Sequence, residues 1–157
     1  MVILYHGTRC SSFNGVASNG FLASGHGRLG PGVYFSTKEC AQEIGQSRGS
    51  GTGFVVFRVE VNLGRMAETG TRNDGAGSWA NGGYNSAHGT HPAWVGLPPF
   101  PEWCVRNPGD CRVLSAEVID GYVDGCDNPE FDIYFSGNCR VTGKVTCRNI
   151  YIGGRQP

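Results

Sequence analysis

The chain has 157 residues, 26 glycines and a formal net charge of zero. This length favours one domain with a buried core, the glycines exclude long helices over much of the chain, and the neutral charge excludes a broad basic face for nucleic acid. No apolar run approaches the roughly 18 residues of a membrane span, and residues 1–20 lack the pattern of a secretory signal.

The seven cysteines are odd in number, and no two of them have the C-x-x-C spacing. We therefore expect reduced thiols, no metal site and an intracellular location, either cytoplasmic or nuclear. One or two disulfides in the C-terminal third of a secreted protein are the alternative.

The N-terminal third alternates short strands with short helices. Residues 2–5 are predicted as a buried strand, followed by a helix that Ser11 or Ser12 can cap and that ends before Asn19-Gly20. The loop over residues 24–32 contains four glycines, so it can lie against a ligand.

Residues 33–35 are the next predicted strand, and Ser36 or Thr37 can cap a second helix over residues 38–44. A Gly/Ser/Gln loop over residues 45–53 follows this helix. Residues 54–61 give the strongest strand pattern, which is apolar on both faces in its first half and therefore predicts a central strand.

The middle of the chain, residues 64–101, is rich in Gly, Asn and Pro and shows no periodicity, which predicts a long functional or mobile loop. A long strand is predicted over residues 111–119. Further strands are predicted around residues 131–135, 140–145 and 149–152, the middle one broken or bulged at a turn. Without a sequence repeat or a linker, residues 1–157 are predicted as one β-rich α+β domain with two short helices near the N-terminus.

Three segments place a polar or aromatic side chain on or beside a predicted strand. They are Tyr-His-Gly-Thr at residues 5–8, Gly-Pro-Gly-Val-Tyr-Phe-Ser at residues 30–36, and Pro-Glu-Trp-Cys-Val at residues 101–105. In this order they resemble the His-Tyr-Glu motifs of the PARP-like ADP-ribosyltransferases. Gly-Tyr-Asn-Ser at residues 83–86 precedes the third segment, as it does in that family, and the resemblance covers roughly residues 2–118.

The resemblance implies a split-sheet ADP-ribosyltransferase (PARP-like) fold for residues 2–118, with residues 120–157 as an additional β-rich tail. It also implies NAD-dependent mono-ADP-ribosyl transfer to an acceptor, with NAD⁺ as the co-substrate and no metal. A protein is the favoured acceptor, ahead of a nucleic acid or a small molecule. An NAD glycohydrolase and an inactive NAD- or ADP-ribose-binding module are the alternatives.

The same resemblance assigns roles to site residues. His6 is expected to bind a ribose hydroxyl, the Gly7 backbone the carboxamide, and Tyr34 the nicotinamide ring by stacking. Glu102 is expected to hold the 2′-hydroxyl of the nicotinamide ribose, and Arg28 to meet the adenosine side. His6, Tyr34 and Glu102 are the predicted catalytic residues, and the predicted NAD-binding set is His6, Gly7, Thr8, Arg28, Gly32, Tyr34, Ser36 and Tyr84.

Several alternatives remain open. Glu130, in Glu-Phe-Asp-Ile-Tyr, is a second candidate for the glutamate, although the flanking motifs favour Glu102. The family often has a second aromatic residue near positions 42–47, where this chain has none. Either nicotinamide is stacked from one side only, or Trp79, Tyr84 or Trp94 folds over it from the long loop.

Overall fold

The computed structural model describes all 157 residues. Strands make up 42% of the chain and helices 19%. The two α-helices are α1 (Phe13–Asn19) and α2 (Lys38–Gly49). The thirteen strands are β1 (Val2–Thr8), β2 (Val33–Phe35), β3 (Phe54–Val61), β4 (Met66–Gly70), β5 (Ser86–His91), β6 (Phe100–Val105), β7 (Cys111–Ile119), β8 (Tyr122–Val123), β9 (Cys126–Asp127), β10 (Asp132–Ser136), β11 (Arg140–Val141), β12 (Val145–Thr146) and β13 (Asn149–Ile152).

Two larger sheets contain most of these strands. One has five strands in the order β1-β3-β7-β10-β13, antiparallel from β1 to β7 and parallel from β7 to β13. The other has four strands in the order β2-β6-β5-β4. Tyr5 and Ser36 exchange two backbone hydrogen bonds, of 3.0 and 2.9 Å, and so tie the edge of one sheet to the edge of the other.

The C-terminal part of the chain forms stacked coils. β7, β8 and β9 belong to one coil, and β10, β11 and β12 pair with them in parallel as the next coil. β13 then stacks on β10 as the start of a third coil. Asp132 pairs with Ser115 before it and with Asn149 after it, so each coil advances the chain by 17 residues along this strand position.

The predicted fold class, a β-rich α+β split-sheet ADP-ribosyltransferase fold, is therefore wrong. The strands form stacked coils of a β-solenoid, and the chain has only two α-helices. The coils were not visible as a sequence repeat because parallel stacking requires matching strand positions and not matching residues. Val118, Phe135 and Ile152 occupy equivalent positions with different side chains.

The main core lies where α1 packs against the inner face of the five-stranded sheet. Phe13, Phe57 and Phe131 are fully buried, and their ring centroids lie 5.9 to 6.4 Å apart. Burying a side chain of this size contributes about 1.5–3 kcal/mol. This aromatic cluster holds α1, β3 and the turn before β10 together.

The local predictions for the N-terminal third are mostly confirmed. Gly20 ends α1 with a φ of 82°, and the Thr37 side chain caps α2 by accepting a hydrogen bond from the Cys40 N–H at 3.3 Å. α2 runs five residues further than predicted, through Gly49, because its glycines pack closely against neighbouring backbone and side chains. The strand predicted over residues 54–61 has the observed bounds, although it lies second in its sheet and not at the centre.

The prediction of a long loop over residues 64–101 is wrong, because β4 and β5 form there and pair in parallel. Both strands consist mainly of small and polar residues, so they show no alternation of apolar side chains. In the tail, the middle predicted strand is broken into β11 and β12. All seven cysteines are free thiols, and neither α-helix is long and apolar enough to cross a membrane.

Candidate functional site

A cavity of about 920 Å³ opens between β1, α1, the loop before β2 and the start of β6. This volume lies in the range of small-molecule sites. Six of the predicted site residues line it, and α1 and the loop after it supply much of the remaining wall. The six are His6, Thr8, Arg28, Gly32, Tyr34 and Glu102.

His6 is held as a neutral imidazole. Its Nδ1 lies 2.6 Å from the Tyr34 carbonyl oxygen, which can only accept, so Nδ1 carries the proton. Burial lowers the pKa of His6 to about 4, against the smaller opposing effect of that hydrogen bond. Nε2 has no protein partner and is therefore an acceptor available to a ligand hydroxyl.

Phe21 and Phe35 fix the plane of the His6 ring. Both lie edge-on to it, with centroids 4.9 and 6.1 Å away. Phe21 also lines the cavity and follows the end of α1. The imidazole is therefore positioned by packing on two sides as well as by its hydrogen bond.

Tyr34 joins the wall of the cavity to the loop over residues 24–32. Its hydroxyl donates a short hydrogen bond to the Gly30 carbonyl and accepts one from the Leu29 N–H at 3.0 Å. Gly27 lies so close that a Cβ there would overlap the Tyr34 hydroxyl. Burial raises the pKa of Tyr34 well above its usual value, so the phenol stays protonated and its ring is an uncharged surface.

Glu102 lies on β6 and is only 8% exposed. Its Oε2 accepts a hydrogen bond from the Arg28 Nε at 3.1 Å, and the two side chains are 11% and 6% exposed. Arg28 is anchored again by its Nη1, which donates to the Arg72 carbonyl at 2.7 Å. Its Nη2 is buried without a hydrogen-bond partner.

This pairing changes the expected role of Arg28. The sequence placed it on the adenosine side of a bound nucleotide, separate from the glutamate. In the structure, its guanidinium fixes the orientation of the Glu102 carboxylate and balances its charge. Arg28 is therefore part of the carboxylate end of the site.

Arg48 is a site residue that sequence reasoning missed. It lies in the last turn of α2, lines the cavity, and donates from Nη1 to the Gly7 carbonyl at 3.2 Å. Its spacing from the buried Ala41 and Gly45 is i+7 and i+3, which places it on the face of α2 that contacts β1. This spacing could have identified Arg48 from the sequence, but only if the helix had been predicted to continue beyond residue 44.

Gly7 and Ser36 line a smaller cavity of about 50 Å³ next to the main one. The Ser36 hydroxyl donates to the Pro101 carbonyl at 2.6 Å, and the residue is 2% exposed, so this hydroxyl already joins β2 to β6. Gly7 faces α2, where a Cβ would overlap the Ala41 carbonyl and lie 2.8 Å from the Gly45 nitrogen. Residue 7 must therefore be glycine for α2 to pack this closely against β1.

Of the three candidates for the second aromatic residue, Trp94 is the one that lines the cleft. It lines both cavities and is 41% exposed. The other two candidates lie elsewhere. Trp79 is buried and donates from Nε1 to the Leu29 carbonyl at 2.6 Å, and Tyr84 packs under the Arg65 guanidinium, whose carbon lies 4.4 Å from its ring centroid.

Glu130 does not lie near this cleft. It is exposed and lines a separate cavity with Arg58, Arg112 and Arg148. Cys10 also lies outside the cleft lining, and burial raises the pKa of its thiol, which leaves it a poor nucleophile. The structure contains no group of three or more His, Cys, Asp or Glu side chains arranged to hold a metal ion.

The cleft therefore combines a neutral hydrogen-bond acceptor, an uncharged aromatic surface and a buried carboxylate. These are the groups that can position a sugar hydroxyl, a flat ring and a developing positive charge. No protein-family model matches this sequence, and a search of curated proteins also found no match.

Proposed function

We propose that the chain is an NAD-dependent mono-ADP-ribosyltransferase, with a protein as the favoured acceptor. The observation that carries the proposal is the convergence of His6, Tyr34 and Glu102 on one cavity of about 920 Å³. These three residues are 28 and 68 positions apart in the chain, and each presents a different chemical group. The proposal rests on this site and does not depend on the fold.

The site has features that suit NAD. The free Nε2 of His6 can accept a hydrogen bond from a ribose hydroxyl, and the Tyr34 ring offers a face for nicotinamide. Trp94 lines the same cavity and supplies a second aromatic surface for the ring. Glu102 can accept from the 2′-hydroxyl of the nicotinamide ribose through the oxygen that Arg28 leaves free.

The proposed reaction breaks the bond between ribose C1′ and the nicotinamide nitrogen. The bonding electron pair goes to the cationic ring nitrogen, and an acceptor nucleophile forms a new bond to C1′ and loses one proton. Positive charge develops on the sugar in the transition state, so a fixed carboxylate beside it lowers the barrier. Burial strengthens that interaction because the local dielectric is low.

An intracellular location, cytoplasmic or nuclear, belongs to the same proposal. All seven cysteines are free, including Cys10, Cys104 and Cys126, which are buried. Seven thiols without a disulfide fit a reducing compartment.

Labelled NAD separates this proposal from its two rivals. The purified chain is incubated with NAD carrying the label in the adenosine, with and without cell extract, while free nicotinamide is measured. Label that becomes attached to protein supports the transferase. Nicotinamide release with only free ADP-ribose supports a glycohydrolase, and NAD binding without release supports a binding module.

A further inference from the structure

A second cavity, of about 590 Å³, shares no lining residue with the cleft. It lies on the outer face of the five-stranded sheet, where Arg58, Arg112 and Arg148 all line it. Arg58 is in register with Tyr5 on one side and Ser115 on the other, so a polar row crosses the sheet at this position. The register of β3 shifts between Arg58 and Val59, and such a bulge re-aims the side chain beside it.

Arg58 is a half-buried guanidinium without a counter-ion. Its Nε is buried and has no hydrogen-bond partner, and no carboxylate lies within ion-pair distance of it. A buried donor without a partner is costly, and a charge without a partner more so. No protein group therefore pairs with the guanidinium of Arg58, and its buried Nε–H is left without an acceptor.

The other charged residues that line this cavity differ in how strongly each is paired with an opposite charge. Arg148 is already engaged by Asp132, with bonds of 3.0 and 2.6 Å to its two oxygens. Arg112 lies 3.5 Å from Glu60, and its side chain is 66% exposed, which makes this a weak pair. Glu130 is the one acid in the lining that has no ion-pair partner.

We propose that this cavity binds the phosphate group of a small anion, with Arg58 as its principal ligand and Arg112 beside it. A guanidinium fork matches phosphate oxygens in pairs, and two arginines balance the charge of a phosphate dianion. The Tyr134 hydroxyl is a further donor at the wall. Tyr134 is fixed by stacking on Tyr151, with ring centroids 4.6 Å apart and planes 12° apart.

The test uses the Arg58 Nε–H as its own reporter, because a buried N–H exchanges slowly enough for heteronuclear NMR. Inorganic phosphate is titrated into the labelled full chain at constant ionic strength set with sodium chloride, and AMP is titrated in parallel. We expect a saturable shift of the Arg58 resonance with both. A stronger response to AMP identifies the phosphate as that of a nucleotide, and equal responses identify free phosphate.

Variants make the result specific. Because the Arg58 variants lack the Arg58 N–H, their phosphate binding is measured by isothermal titration calorimetry beside that of the parent. Arg58→Gln should abolish binding, and Arg58→Lys, which keeps the charge but not the fork, should weaken it by about tenfold. Glu130→Gln should tighten it, because a repelling charge is removed. Arg106→Gln, at an exposed position outside the cavity, is the control and should bind as the parent does.

Two results would overturn the proposal. One is an Arg58 resonance that does not move with phosphate or AMP. The other is unchanged phosphate binding in Arg58→Lys, which also decides the matter if Arg58→Gln does not fold.

Discussion

At the residue scale, the buried Arg28–Glu102 ion pair sets the charge at one end of the cleft. The two side chains are 6% and 11% exposed, so each charge depends on the other for compensation. Removing one member of such a pair leaves a buried charge alone, which costs about 3–5 kcal/mol. Replacing both by apolar residues removes the charges together.

We therefore expect strong coupling between the two positions. Arg28→Met and Glu102→Leu should each lower the free energy of unfolding by about 3 kcal/mol, and the double variant should lose clearly less than the sum. Urea denaturation of the four proteins in the mutant cycle measures this. If the losses of the two single variants add up in the double variant, the attraction between the two charges does not offset the cost of burying them.

His6 makes stability depend on pH. Its pKa is lowered from 6.5 to about 4 in the folded chain, mainly by burial, so the unfolded chain takes up the proton more readily. Its contribution is fully present above pH 6.5 and is lost as the pH falls toward 4, by at most about 3 kcal/mol.

His6→Asn keeps a donor for the Tyr34 carbonyl but cannot take up the proton, so it should lose less stability than the parent between pH 6.5 and 4. Urea denaturation at several pH values between 6.5 and 4 gives the unfolding free energies of the parent and His6→Asn. The difference between them isolates the effect of protonating the His6 imidazole. Parallel loss of stability in the two proteins would contradict a buried neutral His6.

Motif order in the sequence was enough to select His6, Tyr34 and Glu102, and the structure places all three on one cavity. Their roles stay predictions. The partner of Arg28 could not be foreseen, because a loop of four glycines has no periodicity that would indicate where its one arginine points. Tyr84 was selected from a motif and lies outside the cleft, because its ring packs against Arg65.

At the element scale, the contact between β1 and α2 sets one wall of the cleft. Gly7 and Gly45 bring strand and helix so close that a Cβ at Gly7 would overlap the Ala41 carbonyl. The backbone of α2 cannot yield without moving Arg48, which lies on the same helix and lines the cavity. Close packing here therefore positions a cleft residue.

Gly7→Ala should lower the free energy of unfolding by about 2–3 kcal/mol, because the added methyl group meets backbone and not a flexible side chain. Gly15→Ala is the matched control: Gly15 lies within α1, and a Cβ there meets nothing within 4 Å. That variant should be more stable than the parent by about 0.5–1 kcal/mol. Thermal and urea unfolding of both measure the contrast, and equal effects would contradict the tight packing of α2 on β1.

The strands that the sequence predicted correctly are those with a clear pattern of apolar side chains. β3 and β7 alternate or run apolar for eight and nine residues, and their bounds were predicted as observed. β4 and β5 have no such pattern, and they are held by pairing with each other and with β6. Their existence depends on long-range partners, which local sequence does not reveal.

At the scale of the whole molecule, the stacked coils and the cleft share the five-stranded sheet. The cleft uses β1 at one edge, and the coils extend the sheet through β7, β10 and β13 toward the other. The second cavity lies on the outer face of this sheet, so the sheet itself lies between that cavity and the core. The resemblance could not show this arrangement, because it covered only residues 2–118.

The most direct test of the account is NAD cleavage by two glutamate variants. Free nicotinamide and label attached to protein are measured for the parent, Glu102→Gln and Glu130→Gln, after circular dichroism has shown that each is folded. We predict that Glu102→Gln loses at least about 100-fold in rate, as expected when a group that stabilises transition-state charge is removed, while Glu130→Gln keeps the parental rate. Full activity of Glu102→Gln, or a loss confined to Glu130→Gln, would contradict the central claim.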